Sequence, residues 1–293
     1  MNWPKELKAN IRFNEPLSKH TTFGIGGKIK FWVEPKNIQD LKKVILNIKK
    51  YKIFHLVIGN GSNLLVKDKN ISGVAISLKS DYFSQINYKK DFVEAGAGVA
   101  LNKLVKFCLD NSLRGLEFLS GIPGTIGGAV IMNAGTKDKS ISDIIKEVKI
   151  MDPKGNIKTL RKKDIKFGYR KSNLSKFIVI SIKIYVTNAD KDDIRNRLDE
   201  FLEMRKRTQD LSFRSAGCIF KNPRKEAAGK LIDLCGLKGK CFGDAEISRR
   251  HANFIINRGK AKAKDVLRLI KVSQEKVKNN FNIDLIPEVK IIG

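Results

Sequence analysis

Acidic residues are scarce in this chain. Thirty Asp and Glu face 58 Lys and Arg over 293 residues, a formal charge of +28. Cysteine is scarce too. Cys108, Cys218, Cys235 and Cys241 are the only four, and none is spaced as C-x-x-C. That pattern excludes a disulfide scaffold and gives no zinc ribbon or redox pair, so reduced thiols in a reducing cytosol are expected, and no metal site. The 23 glycines follow no period, which excludes a collagen-like chain. No G-x-x-x-x-G-K-[ST] pattern occurs, which argues against a P-loop ATPase. Long apolar runs are missing as well. The uncharged stretch Phe118 to Ala134 holds Pro123 and four glycines and falls short of the roughly 20 residues of a spanning helix. It reads as a buried, loop-rich segment. Met1 to Pro16 alternates charged and apolar residues and has no apolar core of a secretory signal. A cytoplasmic protein with no membrane partner is expected. Hydrophobic residues make up 42% of the chain, enough for a packed core, so a folded rather than disordered chain is expected.

The positive charge first suggests nucleic acid. Its make-up argues otherwise: 44 of the basic residues are Lys and 14 are Arg, whereas Arg is the usual bidentate reader of bases and phosphates. The charges are scattered, and no helix-turn-helix, finger or RNP pattern appears. No nucleic-acid partner is expected, and small polyphosphate ligands remain a third reading of the charge.

Hydrophobic spacing predicts helices over 37–51, 101–109, 192–207 and 263–281, and a further element over 227–234. Asn37 can cap the first helix. Strands are expected over 54–58, 64–66, 73–78, 91–95, 148–151, 156–160, 177–186, 254–256 and 289–292. Asp152-Pro153-Lys154-Gly155 is a hairpin turn signal. Ile194, Leu198, Phe201 and Leu202 are expected on one helix face. Without strict strand–helix alternation, the fold class is α+β. A domain boundary falls near 188–193.

Four glycine-rich stretches compete as phosphate cradles: Gly24 to Gly27, Gly59 to Asn63, Gly96 to Gly98, and Gly121 to Gly128. The third sits between a strand and a helix, as a dinucleotide fingerprint would, but Leu101 stands at the third glycine position. The second follows a strand, and its glycines let backbone N–H groups converge on an anion, with Ser62 and Asn63 as side-chain donors. Several such loops suggest one extended ligand with a diphosphate in its middle.

Five blocks together are specific: His20 to Gly27 (HTTFGIGG), Gly59 to Val66 (GNGSNLLV), Gly121 to Gly135 (GIPGTIGGAVIMNAG), Phe167 to Ser172 (FGYRKS) and Ala216 to Pro223 (AGCIFKNP). With His251 to Phe254 (HANF) and Pro287 to Gly293 (PEVKIIG), the chain resembles the UDP-N-acetylenolpyruvoylglucosamine reductase (MurB) family, in its shorter type. The resemblance implies an α+β, two-lobed FAD-binding domain of the vanillyl-alcohol-oxidase/p-cresol-methylhydroxylase kind over 20–189, after an N-terminal extension over 1–19. A substrate-binding domain is implied over 190–293. The implied reaction is reduction of UDP-N-acetylglucosamine-enolpyruvate to UDP-N-acetylmuramate by NADPH through non-covalent FAD, a cytoplasmic step of peptidoglycan precursor synthesis, by a protein expected to be a monomer. Implied cofactor contacts are Thr22, Gly59, Asn60, Gly61, Ser62, Asn63, Leu64, Ile122, Pro123, Gly124, Thr125, Gly127, Gly128 and Gly135. Tyr169 and Asn222 are implied substrate contacts, and Arg170, Cys218 and Glu288 the catalytic set.

The chemistry explains those residue types. Hydride addition to the vinyl carbon spreads negative charge into the substrate carboxylate, which calls for a fixed cation and a proton source. The planar fork of Arg170 suits a carboxylate. Glu288 would repel such a charge unless it acts protonated or through a shared hydrogen bond. Cys218 stands where many relatives have a proton-donating serine. A thiol, with a pKa near 8.5, is a stronger acid than an alkanol. Taken singly, Arg170 could be a surface ion-pairing residue, Glu288 a solvated one, and Cys218 a small core residue. His251 is left as a polar residue of the substrate domain. The resemblance departs from the family at Thr136-Lys137-Asp138-Lys139, where small and aromatic residues are usual. A flavin enzyme for another substrate and a basic nucleic-acid module are the competing readings.

Overall fold

The computed structural model describes residues 7–136, 138–224 and 226–293. The N-terminal extension therefore begins outside the described residues, and Lys137 of the divergent loop also lies outside them. The chain forms two compact units that interleave along the sequence. Among the described residues, the first takes 7–13, 31–60 and the stretch from 72 to 203, and the second takes 14–30, 61–71 and the stretch from 204 to 293. Each unit has its own apolar core.

In the first unit, a five-stranded antiparallel sheet runs in the order Ile157–Arg161, Ile145–Met151, Ile178–Tyr185, Phe92–Gly96, Ile86–Lys89. The Asp152 turn closes its first hairpin. The Asp152 carboxylate accepts the Lys154 and Asn156 N–H groups, and Gly155 at φ 78 completes the turn. The helix Ile38–Lys50 buries Leu41, Val44, Ile45 and Ile48, and the Asn37 side chain caps it by accepting the Asp40 N–H at 2.9 Å. Phe54–Val57 pairs in parallel with Ile71–Ile76, and the loop that follows it begins with Gly59.

In the second unit, a four-stranded sheet runs Arg214–Cys218, Phe254–Asn257, Ala245–Ile247, Cys241–Phe242. The long helix Ala263–Phe281 buries Val266, Leu269, Ile270 and Val277. The Asp68 carboxylate accepts the Ala263 and Lys264 N–H groups at the start of that helix. Lys290–Ile292 pairs in parallel with Leu64–Val66. Helices and mostly antiparallel strands without strict alternation make the α+β class expected from the sequence.

Three expectations change. The stretch Phe118 to Ala134 contains a helix, Ile126–Met132, despite Gly127 and Gly128. Ile126, Ala129 and Val130 are buried there, so packing overrides weak propensity. Leu202 is exposed while Ile194 and Leu198 are buried, so the apolar face of the helix Lys191–Thr208 narrows towards its end. Gly96 and Gly98 are packing residues. A Cβ at Gly98 would lie 1.6 Å from the Leu78 carbonyl oxygen, and one at Gly96 would lie 2.1 Å from that of Phe83.

Candidate active site

Among the described residues, the backbone N–H groups of residues 59–62 donate to no acceptor. A Cβ at Gly59 would meet the Thr125 hydroxyl at 2.3 Å, so only glycine lets this loop approach the Gly121–Gly128 loop. Gly61 has φ +62, and its Cβ would lie 2.1 Å from the His20 carbonyl oxygen. The Asn60 amide donates to the Gly124 carbonyl at 3.1 Å and ties the two glycine loops together. In the second loop, Ile122, Gly127 and Gly128 are not fully buried, Pro123 is exposed, and Thr125 is buried. A Cβ at Gly128 would have only the Thr125 hydroxyl within 4 Å, so that side of the helix start is open. Uncommitted N–H groups of this kind can bind an anion such as a diphosphate.

Thr22 and Asn63 lie in the second unit. The Thr22 hydroxyl donates to the Ser215 carbonyl at 2.7 Å, which leaves its lone pairs for a ligand. The Asn63 amide donates to the Glu288 carbonyl at 3.2 Å, and the Asn63 carbonyl accepts the Lys290 N–H at 3.0 Å. Leu64 opens the strand that pairs with the C-terminal strand.

Arg170 belongs to the first unit. It sits on the two-residue turn between Phe167–Gly168 and Lys171–Ser172, at φ 53. A left-handed backbone is uncommon for a residue other than glycine and clusters at functional sites. The Arg170 guanidinium donates to the Gly135 carbonyl at 2.9 Å and lies 5.4 Å from the centre of the exposed Tyr169 ring. The hairpin is fastened from the end of the helix Ile126–Met132. Ser172 donates to the Ile131 carbonyl at 3.0 Å, and the Asn133 amide donates to the Gly168 carbonyl at 3.1 Å. Asn133 is itself buried at φ 46, and its Oδ1 accepts the Ser142 N–H at 3.2 Å. Asn133 stood inside a recognised block, but its clamp on Gly168 carried no sequence signal. After Gly135 the divergent loop closes tightly, with the Thr136 N–H donating to Lys139 at 2.8 Å.

Cys218 and Glu288 belong to the second unit. Cys218 ends the strand Arg214–Cys218 just after a bulge that breaks the register between Ser215 and Cys218. Gly217, at φ +75, has open space where a Cβ would point. A bulge of this kind re-aims the side chain that follows it. The half-buried Cys218 is in no disulfide. By contrast, Cys108 is locked as a thiol: burial, with help from the charge of Glu117, pushes it up to about 12. The Glu288 N–H donates to the Ile219 carbonyl at 2.7 Å, and Phe220 bridges Pro287. Glu288 is thus docked by its backbone on the residue next to Cys218. Asn222 is exposed, and its Oδ1 accepts the Ala228 N–H at 3.0 Å at the start of the helix Ala228–Leu234, leaving its amide hydrogens for a ligand.

Known proteins of the same kind match nearly the whole chain. Residues 29–161 match the family described as FAD binding domain, and residues 209–292 match that described as UDP-N-acetylenolpyruvoylglucosamine reductase, C-terminal domain. The UDP-N-acetylenolpyruvoylglucosamine reductase of Clostridium kluyveri is 40% identical over 97% of this chain and 93% of its own. That of Clostridioides difficile is 41% identical over 98% and 94%. The crystal structure of the Thermus caldophilus enzyme superposes with a TM-score of 0.83 at 35% identity, covering 98% of this chain and all of that one. No helix among the described residues is long and apolar enough to cross a membrane.

Proposed function

Because the chain belongs to the UDP-N-acetylenolpyruvoylglucosamine reductase family, we infer that it reduces UDP-N-acetylglucosamine-enolpyruvate to UDP-N-acetylmuramate with NADPH, in peptidoglycan precursor synthesis. The observation that carries this reading is similarity at 40% identity across 97% of the chain. The net change is one hydride added to the vinyl carbon and one proton added to the carbon bearing the carboxylate. Bound FAD would supply the hydride-transfer chemistry that links NADPH to the substrate.

The protein's residues do the rest. The residue 59–62 loop and the Gly121–Gly128 loop hold the cofactor diphosphate, with Thr22, Asn63, Leu64 and Gly135 as further contacts. Arg170 binds the substrate carboxylate and offsets the charge that grows there. Its turn and the Gly135 hydrogen bond fix the guanidinium before substrate arrives. Cys218 gives its thiol proton to carbon and recovers one from solvent. Glu288, either protonated or through a shared hydrogen bond, assists the proton transfer to that carbon. Tyr169 and Asn222 contact the sugar nucleotide. The cofactor part is assigned to residues 20–189 and the substrate part to 190–293, following an extension over 1–19. The enzyme is assigned as a cytoplasmic monomer.

Purified protein mixed with NADPH and UDP-N-acetylglucosamine-enolpyruvate tests the reaction. In the absence of oxygen, the flavin-bearing protein is expected to consume more NADPH than its bound flavin takes up only when the sugar nucleotide is present. NADPH consumption that ignores the sugar nucleotide would overturn the reading.

A further inference from the structure

The ladder that carries Cys218 runs out just beyond it. Strand Arg214–Cys218 pairs with Phe254–Asn257, and the last partners are Cys218 and Phe254. Beyond Phe254 the partner chain turns away, with the Phe254 N–H donating to the His251 carbonyl at 2.8 Å. Ile219 and Phe220 must nevertheless keep their place, since Glu288 and Pro287 dock on them. Asn253 takes over from the missing strand.

Asn253 is 2% exposed. Its main-chain carbonyl accepts the Ile219 N–H at 2.8 Å. Its side-chain Oδ1 accepts the Phe220 N–H at 2.9 Å, and its Nδ2 donates to the Phe220 carbonyl at 2.8 Å. One amide side chain thus supplies both bonds that an antiparallel neighbour would exchange with Phe220. The Asn253 N–H is itself fixed by donation to His251 Nδ1 at 3.2 Å. On the far side, Ile219 accepts from Glu288, and the N–H of Lys221, the residue after Phe220, donates to Ile286 at 2.9 Å. The step from Cys218 to Glu288 therefore runs through two residues that Asn253 holds.

We propose that Asn253 is a positioning residue for the proton-transfer pair: it extends the ladder past Cys218 and sets the placement of Cys218 relative to Glu288. This rests on the assignment of Cys218 and Glu288 above. The proposal predicts a division between the two halves of the turnover. Flavin reduction by NADPH needs neither Cys218 nor Glu288, whereas reoxidation by the enolpyruvyl substrate needs both. A misplacement of about 1 Å costs up to about 10²-fold in a positioned reaction.

Anaerobic stopped-flow measurements on the Asn253→Ala holoenzyme test it, with Cys218→Ala alongside. In Asn253→Ala, flavin reduction by NADPH is expected to stay within about twofold of wild type, while reoxidation by substrate slows by about 10- to 100-fold. Iodoacetamide labelling mapped by mass spectrometry gives a second readout: the labelling rate of Cys218 changes, while Cys235 and Cys241 label as in wild type. If Asn253→Ala does not fold, Asn253→Gln keeps both hydrogen-bonding groups but shifts them by one methylene, and the same division is expected. Equal slowing of both half-reactions, or of neither, overturns the proposal, because that is how a purely structural amide behaves. If Cys218→Ala leaves reoxidation intact, the acid assignment itself falls, and the proposal falls with it.

Discussion

Arg170 and Cys218 are mounted by opposite means. Arg170 rides a two-residue turn at φ 53, held by side chains: Asn133 on Gly168, Ser172 on Ile131, and its own guanidinium on Gly135. Cys218 rides a sheet strand, and its partner Glu288 is docked by main-chain hydrogen bonds to Ile219. Arg170, proposed to bind charge, is thus held by a strained turn and a few polar side chains. Cys218 and Glu288, proposed to transfer the proton, are held by a backbone ladder that one side chain prolongs. A strained backbone of this kind costs about 1–3 kcal/mol and persists only where its surroundings enforce it. Loss of a bracing side chain should therefore show mainly in stability at the first mount and mainly in the reactive step at the second.

The largest effect is expected at the Cys218 thiol. Cys218→Ala should lower steady-state turnover by about 10²- to 10⁴-fold, the usual worth of a positioned acid. Cys218→Ser, which keeps a proton on the same atom position, should restore much of it. Similar turnover in the Ala and Ser variants would break the contrast. At the other mount, Arg170→Lys keeps the charge and loses the fork, so kcat should fall by about 10²-fold with little change in Tm. Unchanged kcat would mean that charge alone suffices there.

Asn133 separates strain from hydrogen bonding. Asn133→Gly accepts the φ of 46 but removes the buried amide, and should cost about 1–3 kcal/mol in thermal unfolding. Asn133→Ala removes the amide and also strains the backbone, so it should cost more. Equal losses would show that the left-handed conformation carries no strain.

The smallest effect is a pH dependence. Burial, with help from the charge of Lys238, holds the His251 imidazole below the usual histidine value. The folded state then binds fewer protons than the unfolded state. This site leaves stability intact above about pH 6.5 and withdraws it as the pH falls through the lower folded value. Neutral His251 is also what accepts the Asn253 N–H. The fall in Tm between about pH 7.5 and 5 should be shallower in His251→Gln than in wild type. An identical slope in the two proteins would remove His251 as a contributor.

The helices Ile38–Lys50 and Ala263–Phe281 were legible from apolar spacing, and the Asp152–Gly155 turn from its residue types, because these depend on neighbours in sequence. The glycine loops were legible as a class but not one by one. Gly59 and Gly96 look alike in sequence. Only the fold shows that Gly59 abuts Thr125 beside uncommitted N–H groups while Gly96 abuts the Phe83 carbonyl. The helix Ile126–Met132 was hidden by its own glycines, since its stability comes from burial of Ile126 and Val130. Asn10–Pro16 is mostly exposed and has no regular buried face, so its strand left no clear apolar alternation to read. The side chains proposed as catalytic were named from recognised blocks. The amides of Asn133 and Asn253 that brace them act on residues far away in sequence, which no local pattern encodes.

The account turns on Cys218 as the proton donor, and rapid mixing of the Cys218→Ala holoenzyme tests it most directly. NADPH should bleach the flavin at the wild-type rate, and UDP-N-acetylglucosamine-enolpyruvate should then fail to restore its colour at more than a small fraction of the wild-type rate. Restoration at the wild-type rate would contradict it.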